Sequence, residues 1–337
     1  MQGGDGGRVV EEQAEGARSE TGPSWGKTDP SREETDSSRG KTGPSRGETG
    51  ASGGDKKRAL WVAIGYIPAL VVVGGPVVWA LTAGLEWWSR RADWDLSGRL
   101  YGVEAISALA ATAIVVAVTW AYLRLADRGT LAGVGLSWRG KAPWGLAAGV
   151  AISVLSLTAV FCLDLLLGGS QVRGLNPPSP WLLLLAFATA TRAAWTEELI
   201  NRGVLLDRLE RGLNRAAAVV LTTVVFVLPH WSNSAGHGAV RWVGLVLISL
   251  TMTAAFYIAG RNLWLPIGLH WATDLWVYIL FGSWRWQGGL LRWQHLAVWP
   301  RGMENYFDWL LLAALPFQWM ILTGWWLGHR RTAPGAG

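Results

Sequence analysis

The chain has few of the residues that usually carry covalent cross-links or hydrolytic chemistry. One cysteine, Cys162, occurs in 337 residues. It excludes an intrachain disulfide, and a single thiol in an apolar run builds no metal cluster. Only five histidines are present and 16% of residues are charged, against about 25% in ordinary soluble domains. No H-E-x-x-H helix occurs, so the common zinc-protease signature is missing. Ser232, near His230, has no G-x-S-x-G elbow around it, which argues against a serine nucleophile. The formal charge of +6 comes without a basic helix interleaved with aromatics, a finger or a recognition motif. No nucleic-acid partner is expected.

Apolar residues are abundant. Half the chain is hydrophobic, and these residues gather in runs of roughly 18 or more, enough to cross the hydrocarbon core as helices. The expected fold class is all-α: a polytopic transmembrane helical bundle of about eight membrane-spanning helices, with a disordered N-terminal tail. Many of the 24 tryptophans lie near the ends of the runs, as at Trp87, Trp88, Trp138, Trp144, Trp325 and Trp326, which fits belts at the membrane interfaces. Residues 1–55 are a different material, rich in Gly, Ser, Thr, Glu, Arg and Lys. They hold too little apolar surface to offset chain ordering. The tail's length and mixed charge are not those of a signal peptide. The echo of TGPSWGKTD at Thr21 in TGPSRGETG at Thr42 reads as linker.

The spans are expected at Leu60–Leu85, Gly102–Leu125, Trp144–Leu167, Trp181 into a helix ending near Glu210, Ala216–Pro229, Val240–Ala259, Leu263–Phe281 and Tyr306–Leu327. This divides the chain into the tail, two leading helices (56–130), a motif-bearing core (131–282), and an outer loop with the last helix (283–337). Lys56, Lys57 and Arg58 precede the first span. Loops expected on the same side hold Arg128, Arg139 and Lys141, then Arg208, Arg211 and Arg215, then Arg261, then Arg330 and Arg331. The positive-inside tendency then puts both termini in the cytoplasm of a multi-pass cell-membrane protein. The other side also carries arginines, among them Arg90, Arg91, Arg285 and Arg292.

Ionisable groups at membrane depth are costly and usually pair, face the bundle interior or line a wet cavity. Three stretches carry them: Glu197, Glu198 and Arg202; His230; and His270 with Asp274. Glu198 and Arg202 are four apart and share a helix face in the favourable order, which reads as an internal ion pair. Glu197 points about 100° away and is free to face a cavity. His270 and Asp274 also share a face. Pro229 and Pro266, each just before a histidine, are expected to bend their helices. A carboxylate and an imidazole within reach of a water can take its proton, and a second imidazole can hold an oxyanion. The same residues leave zinc open, because two histidines and a glutamate are a reasonable ligand set. Buried pairs of this kind can also simply hold helices together, or couple ions in a transporter.

E-E-L-I-N-R at Glu197–Arg202, F-V-L-P-H at Phe226–His230 and H-W-A-T-D at His270–Asp274, in this order, resemble the CAAX prenyl protease and bacteriocin-processing (Abi) family of intramembrane glutamic endopeptidases. Its signature is EExxxR, FxxxH and HxxxN or HxxxD on successive membrane helices. The resemblance covers about Leu131 to Phe281. It implies an endopeptidase in which Glu197, with His230, activates the attacking water. His270 and Asp274 would stabilise the oxyanion, and Glu198 and Arg202 would be structural or orient Glu197. An ionised Asp274 would repel an oxyanion, so it is either protonated or orients His270. The resemblance favours a metal-independent site, with no cofactor, and implies a peptide or membrane-protein substrate. The alternatives are a metal-dependent CAAX-type protease and a non-catalytic immunity or scaffold protein. Other groups read as ordinary. His237 lies in a wet loop, His295 in the outer loop and His329 at an interface. Asp164 is expected to be hydrated, and Glu104 and Asp308 start helices, where the dipole favours acids.

Overall fold

The computed structural model describes residues 53–139, 142–177, 179–230, 239–283, 286–287, 289–295 and 306–331. The tail up to residue 52, Ser232 and His237 within 231–238, and most of the outer loop lie outside the described residues.

The described chain is overwhelmingly helical, as the apolar runs require. Helices α1 (Gly53–Ala69) and α2 (Gly75–Arg91) are joined by a π-turn at Leu70–Gly74. Pro68 and Pro76 flank that turn, and each removes a backbone donor, so the ladder between them widens. The resulting 39-residue rod extends beyond the expected Leu60–Leu85 at both ends. At 1.5 Å per residue it is on the order of 58 Å long, well over the roughly 30 Å hydrocarbon core. A second π-turn, Gly98–Gly102, leads into α3 (Val103–Asp127). Helix α4 (Ala142–Leu166) follows, then strand β1 (Ser170–Leu175) and α5 (Pro180–Glu198). A third π-turn, Leu199–Leu205, connects α5 to the short α6 (Leu206–Gly212). Next come α7 (Arg215–Val227), α8 (Ala239–Ile258) and α9 (Trp264–Phe281). The chain closes with strands β2 (Gly282–Ser283), β3 (Trp286–Gln287) and β4 (Leu291–His295), and helix α10 (Tyr306–Arg331).

Among the described residues, five segments are long and apolar enough to cross a membrane: Gly53–Arg91, Gly98–Asp127, Ala142–Leu166, Ala239–Ile258 and Asp308–Leu327. Helix α7 is apolar but shorter, and α5 and α9 give up apolar positions to the motif residues. The protein is therefore an all-α helical membrane bundle.

Helix α9 packs against α4, α5 and α8. Its crossing with α4 is close because glycines face each other there. A Cβ on Gly268 would run into the Leu146 carbonyl oxygen and sit 3.2 Å from Gly149 Cα. Ser153 Oγ donates to Leu269 O at 2.7 Å across the same crossing. The largest buried cluster, including Tyr66, Leu123, Leu206, Phe256, Leu263 and Ile267, joins the leading helices to the core.

One end of the bundle is tied by ions. Asp127 pairs with Arg58 at 3.6 Å and Arg208 at 2.6 Å. Asp207 pairs with Arg208, Arg211 and Arg261, and Glu210 with Arg215 and Arg261. Five of the arginines expected to mark one side, Arg58, Arg208, Arg211, Arg215 and Arg261, are thus joined physically, with much of their charge offset by three acids. Burial raises the proton affinity of Glu210, but hydrogen bonds from Tyr257, Arg261 and Arg215 outweigh it and hold the carboxyl below its usual range.

At the other end, β1 pairs antiparallel with β4, with an irregularity between Val172 and Gly174. Two loops expected to be irregular are thereby joined. This changes the reading of Asp164. It is buried, not hydrated, and accepts a hydrogen bond from Tyr306 Oη at 2.9 Å, because the start of α10 folds over the end of α4. Asp308 is paired with Arg241 of α8 at 2.8 Å as well as lying in the first turn of α10. Pro266 does not bend α9. It lies in the first turn, where its missing N–H costs no helix bond.

Candidate functional site

Ser179 caps α5 by accepting from the Leu182 N–H, with Pro180 at the first helical position. The helix stays regular to Glu198 and then widens. Asn201 Nδ2 donates to the Glu197 carbonyl at 2.9 Å, so an amide side chain serves a carbonyl that the π-turn would otherwise leave short of a donor. Single π-turns of this kind occur often at functional sites.

Arg202, inside that turn, is fully buried. Its Nη1 donates to Glu198 Oε1 at 3.1 Å. Nη2 donates to Ser249 O at 2.7 Å and Ser249 Oγ at 3.0 Å, and Nε to Thr253 Oγ1 at 3.4 Å. The guanidinium carbon lies 5.0 Å above the Phe226 ring, a cation–π distance. The same ring is 5.2 Å from the His230 ring and 6.4 Å from the His270 ring. Phe226, buried at the end of α7, is therefore the hub around which the three motifs meet.

Glu198 Oε1 also accepts from His270 Nδ1 at 3.0 Å. A carboxylate can only accept, so Nδ1 carries a proton and Nε2 is the nitrogen turned toward Asp274, whose Oδ2 is 3.6 Å away. The result is a line, Arg202–Glu198–His270–Asp274, crossing from the π-turn to α9. Glu198 was expected to be structural or to orient Glu197; its contact is with His270, which it is placed to orient.

His230 Nδ1 lies 2.8 Å from the Phe226 carbonyl. A carbonyl also only accepts, so the neutral ring has its lone pair on Nε2. Glu197 is half-buried, and its Oε2 is buried with no hydrogen-bond partner among the described residues. It is electrostatically coupled to both His270 and Asp274, and Asp274 is coupled to His230. All six predicted site residues are thus brought to one region between α5, α7 and α9. His237 lies outside the described residues.

Three contributors were not found from the sequence. Ser249 and Thr253 of α8 hold the arginine, and their four-residue spacing in I-S-L-T-M-T was the available signal. Tyr278, four residues after Asp274, shares its face and couples electrostatically to Asp274 and Glu197. An apolar groove of about 800 Å³ between α3, α4, α5 and α9 is lined by Trp120, Phe187, Thr191, Trp195 and Trp271 among others, and by none of the six motif residues. Trp271 Nε1 donates to Thr191 Oγ1 at 3.1 Å on its wall. Among the described residues no three His, Cys, Asp or Glu side chains are placed to hold a metal ion.

Fold and site together define a polytopic helical membrane protein with a carboxylate–imidazole cluster buried between its helices. Residues 179–276 match the family model of the type II CAAX prenyl endopeptidase Rce1-like proteins. That stretch runs from the cap of α5 through most of α9, so it holds every motif residue. Over it the chain resembles the CAAX proteases, and the match supports a membrane protease. Neither the curated proteins nor the solved structures gave a match.

Proposed function

We propose that the protein is an intramembrane endopeptidase that hydrolyses peptide bonds without a metal. Glu197 takes a proton from water, with His230 Nε2 as the second acceptor at the same water. The hydroxide adds to the carbonyl carbon. His270, as an imidazolium held by Glu198 and Asp274, donates from Nε2 to the oxygen that becomes negative. Glu197 then returns its proton to the leaving amine as the C–N bond breaks. The observation that carries this reading is the Arg202–Glu198–His270–Asp274 line, whose last two members are electrostatically coupled to Glu197.

The substrate is a peptide or a membrane protein. The setting is a lipid bilayer, the cell membrane, with both termini in the cytoplasm. The test is cleavage of a broad peptide library by purified protein in detergent. Wild type, Glu197→Gln and a chelator-treated sample are compared. Cleavage lost in the variant and retained with chelator is the expected result. Cleavage lost to chelator and restored by zinc would replace this mechanism with a metal-dependent one. A folded wild type that cleaves nothing would favour an immunity or scaffold protein.

A further inference from the structure

Helix α8 carries no part of the three motifs, yet it supplies the other half of the Arg202 site. Each hydroxyl there has its proton turned away from the arginine. Thr253 Oγ1 donates to the Ser249 carbonyl at 2.9 Å, and Ser249 Oγ donates to Thr223 Oγ1 at 3.3 Å. Their lone pairs therefore face the guanidinium, and with the Ser249 carbonyl they make a wall of acceptors matched to a cation. Ser249, Thr253 and Arg202 are all buried, at 1%, 4% and 0% exposure. Water does not compete for these bonds, and the cradle fixes where the guanidinium sits. On its other side the same guanidinium fixes Glu198 Oε1, the atom that accepts the His270 Nδ1 proton.

We propose that Ser249 and Thr253 are positioning residues for the hydrolytic site. They hold Arg202 in the one place from which Glu198 can set the orientation of the His270 ring. The proposal rests on the hydrolytic reading above for its kinetic consequence, though not for its structural one. Neither residue touches a reacting atom; both act through two intervening side chains. The relay runs Ser249 and Thr253, Arg202, Glu198, His270, so α8 sets the His270 ring on α9 by way of the π-turn.

The test uses Ser249→Ala, Thr253→Val and the double variant, with Thr253→Ser as the conservative control. Thr253→Val keeps the shape and removes the acceptor. Two readouts are taken on the full chain in detergent micelles. The first is the ¹⁵N signature of the His270 ring, assigned by comparison with His270→Asn. The wild type is expected to show one set of ring signals with a protonated Nδ1, and the double variant more than one set as the ring samples other rotamers, with Thr253→Ser like wild type. The second is peptide cleavage, where kcat should fall about tenfold in the double variant, as for a small misplacement relayed from outside the site. KM should stay within about twofold, and Thr253→Ser should restore the rate. An unchanged ring signature and kcat in a folded double variant overturn the proposal. A wild type that cleaves nothing removes the hydrolytic reading but leaves the ring signature to decide the positioning role.

Discussion

Arg202 and Glu198 form the most deeply buried ion pair at the site, at 1% and 0% side-chain exposure. Removing one member leaves the other charged and uncompensated, which costs roughly 3–5 kcal/mol. Glu198→Gln is therefore expected to destabilise by that amount, measured by chemical unfolding in mixed micelles. The double replacement Glu198→Leu with Arg202→Met removes both charges, and it should recover much of that loss, since apolar isosteres of a buried pair are often neutral. It should not recover cleavage, because His270 loses its partner in either case. A single substitution as mild as a surface change would contradict the burial argument. The six predicted residues were legible because an ionisable group in an apolar run stands out. Ser249 and Thr253 were not, because hydroxyls in an apolar helix normally bond back to their own backbone. Thr251 does so, donating to Leu247 O at 2.8 Å. Only the arrival of Arg202 from another helix distinguishes the two that matter.

At the scale of elements, the α4–α9 crossing and the α6 end make contrasting predictions. Gly268→Ala puts a methyl against backbone, the Leu146 carbonyl and Gly149 Cα, which cannot move as a side-chain tip can. A loss of about 1–3 kcal/mol is expected. Gly244→Ala in α8 meets nothing within 4 Å and should be neutral or stabilising by up to about 1 kcal/mol; melting temperatures of the two variants decide. At α6, the Glu210 carboxyl is held below its ordinary value of 4.5. A depressed carboxyl adds stability that is fully present above the unfolded value and is lost as pH falls through the folded one. Melting temperature should thus be insensitive to this group at neutral pH and decline in acid below about 4.5. Glu210→Gln should remove part of that decline; an identical acid profile would show that the group contributes nothing. The helices themselves were legible from apolar runs, and the short α7 and the end of α6 fell near their expected places. The π-turns were not. Glu198 and Arg202 can pair across four residues in either ladder, so their spacing does not report the extra residue per turn. Nor was the β1–β4 ladder legible, because it pairs residues from 116 apart, Leu175 with Leu291, to 125 apart, Ser170 with His295, and β1 has no alternating pattern of its own.

For the whole molecule, the two ends differ in how they are held. One has the ion network around Asp127, Asp207 and Glu210, and the other has the ladder of β1 with β4 and the Arg241–Asp308 and Tyr306–Asp164 contacts. A helical bundle in a bilayer exposes its two ends to different compartments, so these features predict a labelling pattern. Cys162 is exposed on α4 and must first be replaced, as Cys162→Ala. Single cysteines are then introduced at Thr130→Cys and Leu213→Cys near the ionic end, and at Gln171→Cys and Asn176→Cys on the strand end, all exposed positions. With a membrane-impermeant maleimide, the first pair should react in inside-out vesicles and the second in right-side-out vesicles. The ionic end faces the cytoplasm in the proposed orientation because it carries Arg58, Arg208, Arg211, Arg215 and Arg261 together. Their partial neutralisation by three acids does not reverse that bias, because acids contribute little to the positive-inside effect. Complete reversal of the pattern would overturn the orientation while leaving the bundle intact. Reaction of all four positions from a single face would overturn the two-ended arrangement, and with it the placement of the Glu197 cluster inside the membrane.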